Sequence, residues 1–165
     1  MYYDFIALIE FAESATTKAG LSDRISYTLA SADQLPFADQ SFDSAFCQQG
    51  LQFFPDRVAA LKEMKRVLRP GGQIALSVWT SAQNGNPAFA AFESIVRENI
   101  GADLVPFGPF GFGDIHALRS VAEQAGLQIV SLDQQSRKVR LPSPRALVLF
   151  DLLFLGRPAA DGALQ

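Results

Sequence analysis

The stretch from Ala30 to Trp79 constrains the fold most, because it sets out turn, strand, polar loop, helix, glycine turn and strand in that order. Phe42 to Cys47 follows the turn residues Phe37-Ala38-Asp39-Gln40-Ser41. It is a short apolar run with two aromatics, expected as a strand buried on both faces. Gln48-Gln49-Gly50 then forms a polar loop at the carboxyl end of that strand. Asp56 stands behind Pro55 as a helix N-cap, and Val58, Leu61, Met64 and Leu68 gather on one helical face. Lys65, Arg66 and Arg69 crowd the last turn, where cations suit the negative end of the dipole. Pro70-Gly71-Gly72 stops the helix, since proline lacks an N–H and glycine tolerates positive φ. From Gln73 to Trp79 the chain alternates, with Ile74, Leu76 and Val78 on one face and Ala75, Ser77 and Trp79 on the other.

Strand, helix and strand at this length predict a right-handed crossover between parallel strands. In such sheets ligands sit beyond the carboxyl ends of the strands. Ser31 to Asp33 and Cys47 to Gly50 therefore mark the expected functional edge.

Upstream, Phe5, Leu8, Ile9, Ala12, Ala15 and Ala19 share a helical stripe closed by Gly20. Ile25, Tyr27 and Leu29 alternate with Ser26 and Thr28 as a strand ending at Ala30. Downstream, Asn86-Pro87 opens a helix with Phe89, Phe92 and Val96 on one face, and Leu104 to Gly113 is an aromatic-rich connection. Asp114 caps a further helix carrying Ile115, Leu118, Val121, Ala122 and Ala125, ended by Gly126. Leu127 to Leu132 and Lys138 to Leu141 read as strands. Ser143-Pro144 begins a last helix whose run from Leu147 to Leu155 has almost no polar side, and such a helix is buried or covers a partner.

A chain of 165 residues that is 48% hydrophobic is long enough for one domain with a core. Its net charge of -3, with no basic run longer than Arg137-Lys138, disfavours nucleic acid as a partner. The single cysteine, Cys47, excludes an internal disulfide and fits a reducing compartment. The N-terminus has none of the features of a signal peptide. The apolar run Ala146 to Leu155 is broken by Asp151 and falls short of the roughly 20 residues of a membrane span. No membrane partner and a cytoplasmic location are expected.

The segments SADQLPF, SFDSAFCQQGLQFFPD, KEMKRVLRPGG and ALSVW, in this order and spacing, resemble the second half of a class I S-adenosylmethionine-dependent methyltransferase. The similar subgroup is the small-molecule type 11, which includes the quinone-biosynthesis methyltransferases. The resemblance runs from Ala12 to Trp79 and continues in register to Leu141. It implies an α/β, Rossmann-like class I methyltransferase sheet, mostly parallel, closed by an antiparallel pair at Leu127 to Leu141, with S-adenosylmethionine as cofactor and a small organic acceptor. The family opens with a strand and a GxGxG-like loop, and this sequence contains no such loop. Gly108, Gly111 and Gly113 follow no apolar strand and read as a turn-rich loop. The expectation is one partial domain lacking the first strand-helix unit, either an N-terminally truncated gene product or one whose sheet is completed by a homodimer or another protein. Within it, residues 1–79 would be a cofactor-side core remnant, 80–126 substrate-cover helices and loop, and 127–165 the closing strands and apolar C-terminal helix.

By resemblance, Ser31-Ala32 takes the place of the family's Asp-Ala, whose acid accepts from the adenine amino group. A serine hydroxyl accepts the same bond but is neutral and shorter. Cys47, Gln48 and Gln49 match the loop lining the methyl-bearing side of the cofactor. The expected cofactor-binding residues are thus Ser31, Ala32, Cys47, Gln48 and Gln49, with no metal and no catalytic residue singled out. Methyl transfer from a sulfonium is an in-line displacement in which charge is neutralised, so positioning matters more than a strong acid or base. Read without the family, Ser31 and Asp33 are turn residues, Asp4 is a helix N-cap, Cys47 is a small buried hydrophobe and His116 is a surface residue. A second functional class stays open: a non-catalytic relative that binds a partner through its sheet edge and apolar last helix. A nicotinamide dehydrogenase would need a glycine fingerprint that is missing.

Overall fold

The structure, a computed structural model, describes residues 5–99, 110–138, 140, 143 and 145. Its centre is the expected unit: β1 (Phe42–Gln48) and β2 (Leu68–Ser77) pair in parallel, with α2 (Arg57–Val67) between them in sequence. The register runs from Ser44↔Gln73 to Gln48↔Ser77, which brings the loop after β1 beside the exit of β2. At the other end the pairing jumps from Phe42↔Leu68 to Ser44↔Gln73, so Arg69 to Gly72 loops out of the ladder. A side chain at Gly72 would place a Cβ 2.9 Å from the Arg69 carbonyl oxygen and 3.1 Å from that of Asp43, and only glycine allows this approach.

Local signals set the helix ends. Asp56 is extended and its Oδ1 accepts from the Ala59 N–H at 2.8 Å, satisfying one of the orphan donors of α2. Asp114 does the same for α4 (Ile115–Gln124), accepting from the Ala117 N–H at 2.8 Å. Replacing either aspartate by alanine is expected to lower stability by about 1 kcal/mol. Urea denaturation checks this, and an unmoved midpoint would mean that the cap contributes nothing.

The core lies on one side of the sheet. Leu51 and Leu61 are fully buried and meet Cys47, Ala122 and Ala125, with Met64, Leu76, Val78, Leu118, Leu127 and Ile129 packed around them. Lys65 Nζ donates to the Gly126 carbonyl at 2.7 Å, tying α2 to the end of α4. The remaining described α-helices are α1 (Phe5–Lys18) and α3 (Pro87–Asn99). Phe89 of α3 stacks on Phe110 at 4.5 Å, and Trp79 is 6.1 Å from the same ring.

Several expectations are corrected. β1 is covered on one face only: Cys47 is buried, whereas Phe46, on the opposite face, is 79% exposed. An apolar run marks a strand but does not say what covers it. Ile25 to Leu29 is not a strand; Tyr27 donates from Oη to the Ala12 carbonyl and bonds Thr16, anchoring the segment to α1 by a side chain. The buried face of α1 accordingly centres on Ile9, Ala12 and Thr16, leaving Leu8, Ala15 and Ala19 exposed. Leu127 to Leu132 is likewise outside any ladder, although Leu127 and Ile129 still pack inward and Val130 faces solvent. In both segments the alternation is real, but a strand also needs a neighbour for its N–H and C=O groups. Lys138 and Arg140 lie in no element, while the rest of the second expected strand and most of the expected last helix fall outside the described residues.

Candidate functional site

Parallel pairing puts the carboxyl ends of β1 and β2 side by side, and the loop Gln48 to Arg57 crosses that edge. Gln49 adopts φ +56, unusual for a residue with a Cβ, and donates its N–H to the Ser77 carbonyl at 2.9 Å. Its Nε2 lies 3.4 Å from Ser77 Oγ, while its Oε1 is buried with no donor. Gln48 is exposed at the end of β1, opposite Ser77. Cys47 points the other way, into the core beneath Gly50, so only its backbone is available to this edge. The edge therefore offers acceptors and a strained backbone, features that mark functional loops when they occur together.

Ser31 and Ala32 occupy a separate turn. The Gln34 N–H donates to the Ser31 carbonyl at 3.1 Å, and the Ser31 hydroxyl donates to the Asp33 carboxylate. Among the described residues no hydrogen bond links this turn to Cys47, Gln48 or Gln49. It is fastened instead to α2, just downstream. Arg66 donates to the Phe37 carbonyl at 2.9 Å, the Leu35 carbonyl at 3.0 Å and Asp39 Oδ1 at 2.6 Å, and also pairs with Glu63. Glu63 in turn accepts the Leu35 N–H at 2.9 Å. The Arg66 hydrogen bonds, and then the Leu35 N–H, hold the Glu63 carboxyl down at about 2, and Glu63 and Asp39 raise the pKa of Arg66.

The sign of the resulting pH dependence follows. Glu63 has a folded pKa below its ordinary 4.5, so its contribution is complete above that value. It is lost as pH falls from there through about 2. Glu63→Gln is expected to flatten the acid limb of a stability–pH curve in that window, measured by thermal melts. An unchanged limb would contradict the clip.

Two residues not singled out from the sequence belong to the edge. Gln52 is 6% exposed; its Oε1 accepts the Trp79 N–H at 3.3 Å, which fixes the amide orientation and leaves Nε2 buried without an acceptor. Arg57 gives Nη2 to the Gln52 carbonyl at 3.0 Å and lies under the Phe112 ring at 4.3 Å, while its Nε is buried and unpartnered. Among the described residues no carboxylate pairs with Arg57. A cation–π contact contributes about 0.5–2 kcal/mol, whereas each buried unpaired donor costs about 1–3 kcal/mol. The sequence did carry one signal: Arg57 is the first residue of a helix, where the dipole disfavours a cation.

His116 is exposed in the first turn of α4. Among the described residues no group of three His, Cys, Asp or Glu could hold a metal ion, and no helix is long and apolar enough to cross a membrane.

Comparison with known proteins finds similarity to methyltransferases. Residues 6–76 match the family described as methyltransferase domain. Methyltransferase GfsG of Streptomyces halstedii is 32% identical over 154 residues, covering 88% of this chain and 50% of that protein. The 27-O-demethylrifamycin SV methyltransferase of Amycolatopsis mediterranei is 40% identical over 68 residues, or 41% of this chain and 25% of its own length. A solved structure of a Thermotoga maritima methyltransferase, described as a possible histamine N-methyltransferase, aligns with TM-score 0.47 and 23% identity over 66% of this chain and 49% of that one. The chain spans half or less of the length of these proteins. The family match lies over the strand–helix–strand unit and its polar edge, and in that region the chain is similar to methyltransferase domains.

Proposed function

We propose that the chain binds S-adenosylmethionine at the carboxyl ends of β1 and β2 and serves methyl transfer to a small organic acceptor. The observation that carries this reading is Gln49 Oε1, a buried acceptor without a donor on the ligand edge of a parallel sheet. The ammonium of the cofactor's methionine portion is a donor of the matching kind, so the residues fit the group. When bound, the cofactor supplies a methyl group on a sulfonium. The chain's own part is to orient: Gln49 accepts from the methionine portion, the exposed Gln48 faces the acceptor, and the backbone of Cys47 forms the floor. Ser31 uses its proton on Asp33 and keeps its lone pairs for the adenine amino group, beside Ala32. A relative named for 27-O-demethylrifamycin SV supports a small-molecule acceptor.

The experiment is a thermal melt with S-adenosylhomocysteine. At about one hundred times its Kd a ligand adds about 2.7 kcal/mol, which for a chain of this size raises Tm by roughly 5–10 °C. A folded chain that shows no shift at millimolar ligand would end the proposal.

A second reading rests on a different observation. Phe42 and Phe46 on the open sheet face, and Ile6, Leu8 and Phe11 on α1, expose apolar surface. That suits a non-catalytic association module whose sheet is covered by a second copy or another protein. Light scattering separates the two readings, since a monomer that binds S-adenosylhomocysteine sinks the second.

A further inference from the structure

We infer that Arg57 and Gln52 form a receptor for an anionic oxygen group, a carboxylate on a small ligand held at this edge. Three observations converge on it. The side chain of Gln52 is more than nine-tenths buried, and its one unpartnered atom is a donor. Arg57 is a half-buried cation whose Nε also lacks an acceptor, and among the described residues it has no carboxylate partner. Its Nε and Nη2 share one edge of the planar guanidinium, and Nη2 already rests on the Gln52 carbonyl, so the unpaired Nε–H faces the neighbourhood of Gln52.

What both donors lack is an acceptor, and a negative one answers the charge as well. A carboxylate also suits the first turn of α2, where the dipole favours an anion, and the Asp56 side chain is already turned onto the Ala59 N–H. The cover over Arg57 is the Phe112 ring. A charge-assisted pair is stronger than a single ring contact, so the ligand takes that place. The carboxylate has two sources, the acceptor or the cofactor's methionine portion, and only this choice of source rests on the methyltransferase reading.

The test uses the full chain labelled with ¹⁵N and its side-chain N–H signals, assigned with Gln52→Leu and Arg57→Lys. Titration with benzoate should move the Arg57 Nε–H and Gln52 amide signals saturably, while uncharged benzamide leaves both in place. Arg57→Met should weaken benzoate about ten-fold. If benzoate leaves both signals unmoved in the wild-type chain, or moves them no more than benzamide does, the receptor is overturned whatever the variants do. S-Adenosylhomocysteine and 5′-methylthioadenosine, which lacks the amino-acid portion, then identify the source. Movement with the first alone assigns the site to the cofactor, and saturable binding of S-adenosylhomocysteine that leaves both signals in place assigns it to the acceptor. Saturable binding of S-adenosylhomocysteine beside a null benzoate titration overturns this inference alone. The reverse pattern overturns the methyltransferase reading alone.

Discussion

Leu61→Ala is expected to lower the stability of this chain by about 2–5 kcal/mol, equivalent to a fall in Tm of roughly 5–15 °C. Leu61 is fully buried on α2, in one core cluster with Cys47, Leu51, Ala122 and Ala125. Two of these neighbours are alanines, which have no side chain to swing into the vacated space, so most of the cavity remains and the loss falls at the upper end. Leu29 is the control: it is 58% exposed, and Leu29→Ala should change stability by no more than about 0.5 kcal/mol. Differential scanning calorimetry on the two variants decides it. Equal melting temperatures would mean that α4 does not pack on α2 as described.

Gly113→Ala is the second large effect, and it acts by crowding. A Cβ at this position would lie 2.1 Å from Ser81 N, 2.3 Å from Thr80 C and 2.5 Å from Trp79 O. All three are backbone atoms, which cannot rotate away as a flexible side chain would. The turn at 110–113 must therefore leave the exit of β2, and Phe110 and Phe112 leave with it. Ordinary overpacking costs about 1–3 kcal/mol, and backbone-to-backbone overlap of this size should reach or exceed the top of that range. Trp79 reports the event directly, since it is the only tryptophan and lies beside Phe110. Its emission should shift to the red in the native state, with a lower Tm. Unshifted emission and an unchanged melt would contradict the packing of this turn.

The parts of the fold legible from sequence are those fixed within a few residues. Asp56 and Asp114 cap the helices they precede, and Gly20 and Gly126 take the left-handed conformation after α1 and α4. The order of β1, α2 and β2 was legible too, because periodicity changes from strand to helix and back. Strands at Ile25 to Leu29 and Leu127 to Leu132 were not, because strand character depends on a partner that alternation cannot supply. The same gap explains β1: its apolar run is consistent with one covered face or two.

At the candidate site the division is similar. The Gln48-Gln49-Gly50 loop was recognisable as a strand exit, and Cys47 as a buried hydrophobe. The orphaned atoms of Gln52 and Arg57 were not, since whether a donor finds an acceptor is decided by tertiary contacts. Nor was the role of Arg66, which as a last-turn cation looked like a dipole partner. The structure gives it three hydrogen bonds that fasten the loop of residues 35–39 to α2, and two more to Glu63 on the same helix.

The central claim is that this sheet edge holds S-adenosylmethionine, and the most direct test is to attach the cofactor where it rests. Irradiating the chain with methyl-labelled S-adenosylmethionine, digesting with trypsin and fragmenting the labelled peptide locates the contact. All five expected residues lie between Arg24 and Arg57, within one tryptic peptide. The account predicts label in that peptide, at Cys47 to Gln49 or at Ser31-Ala32, competed away by S-adenosylhomocysteine. Label confined to other peptides, or insensitive to the competitor, would contradict it.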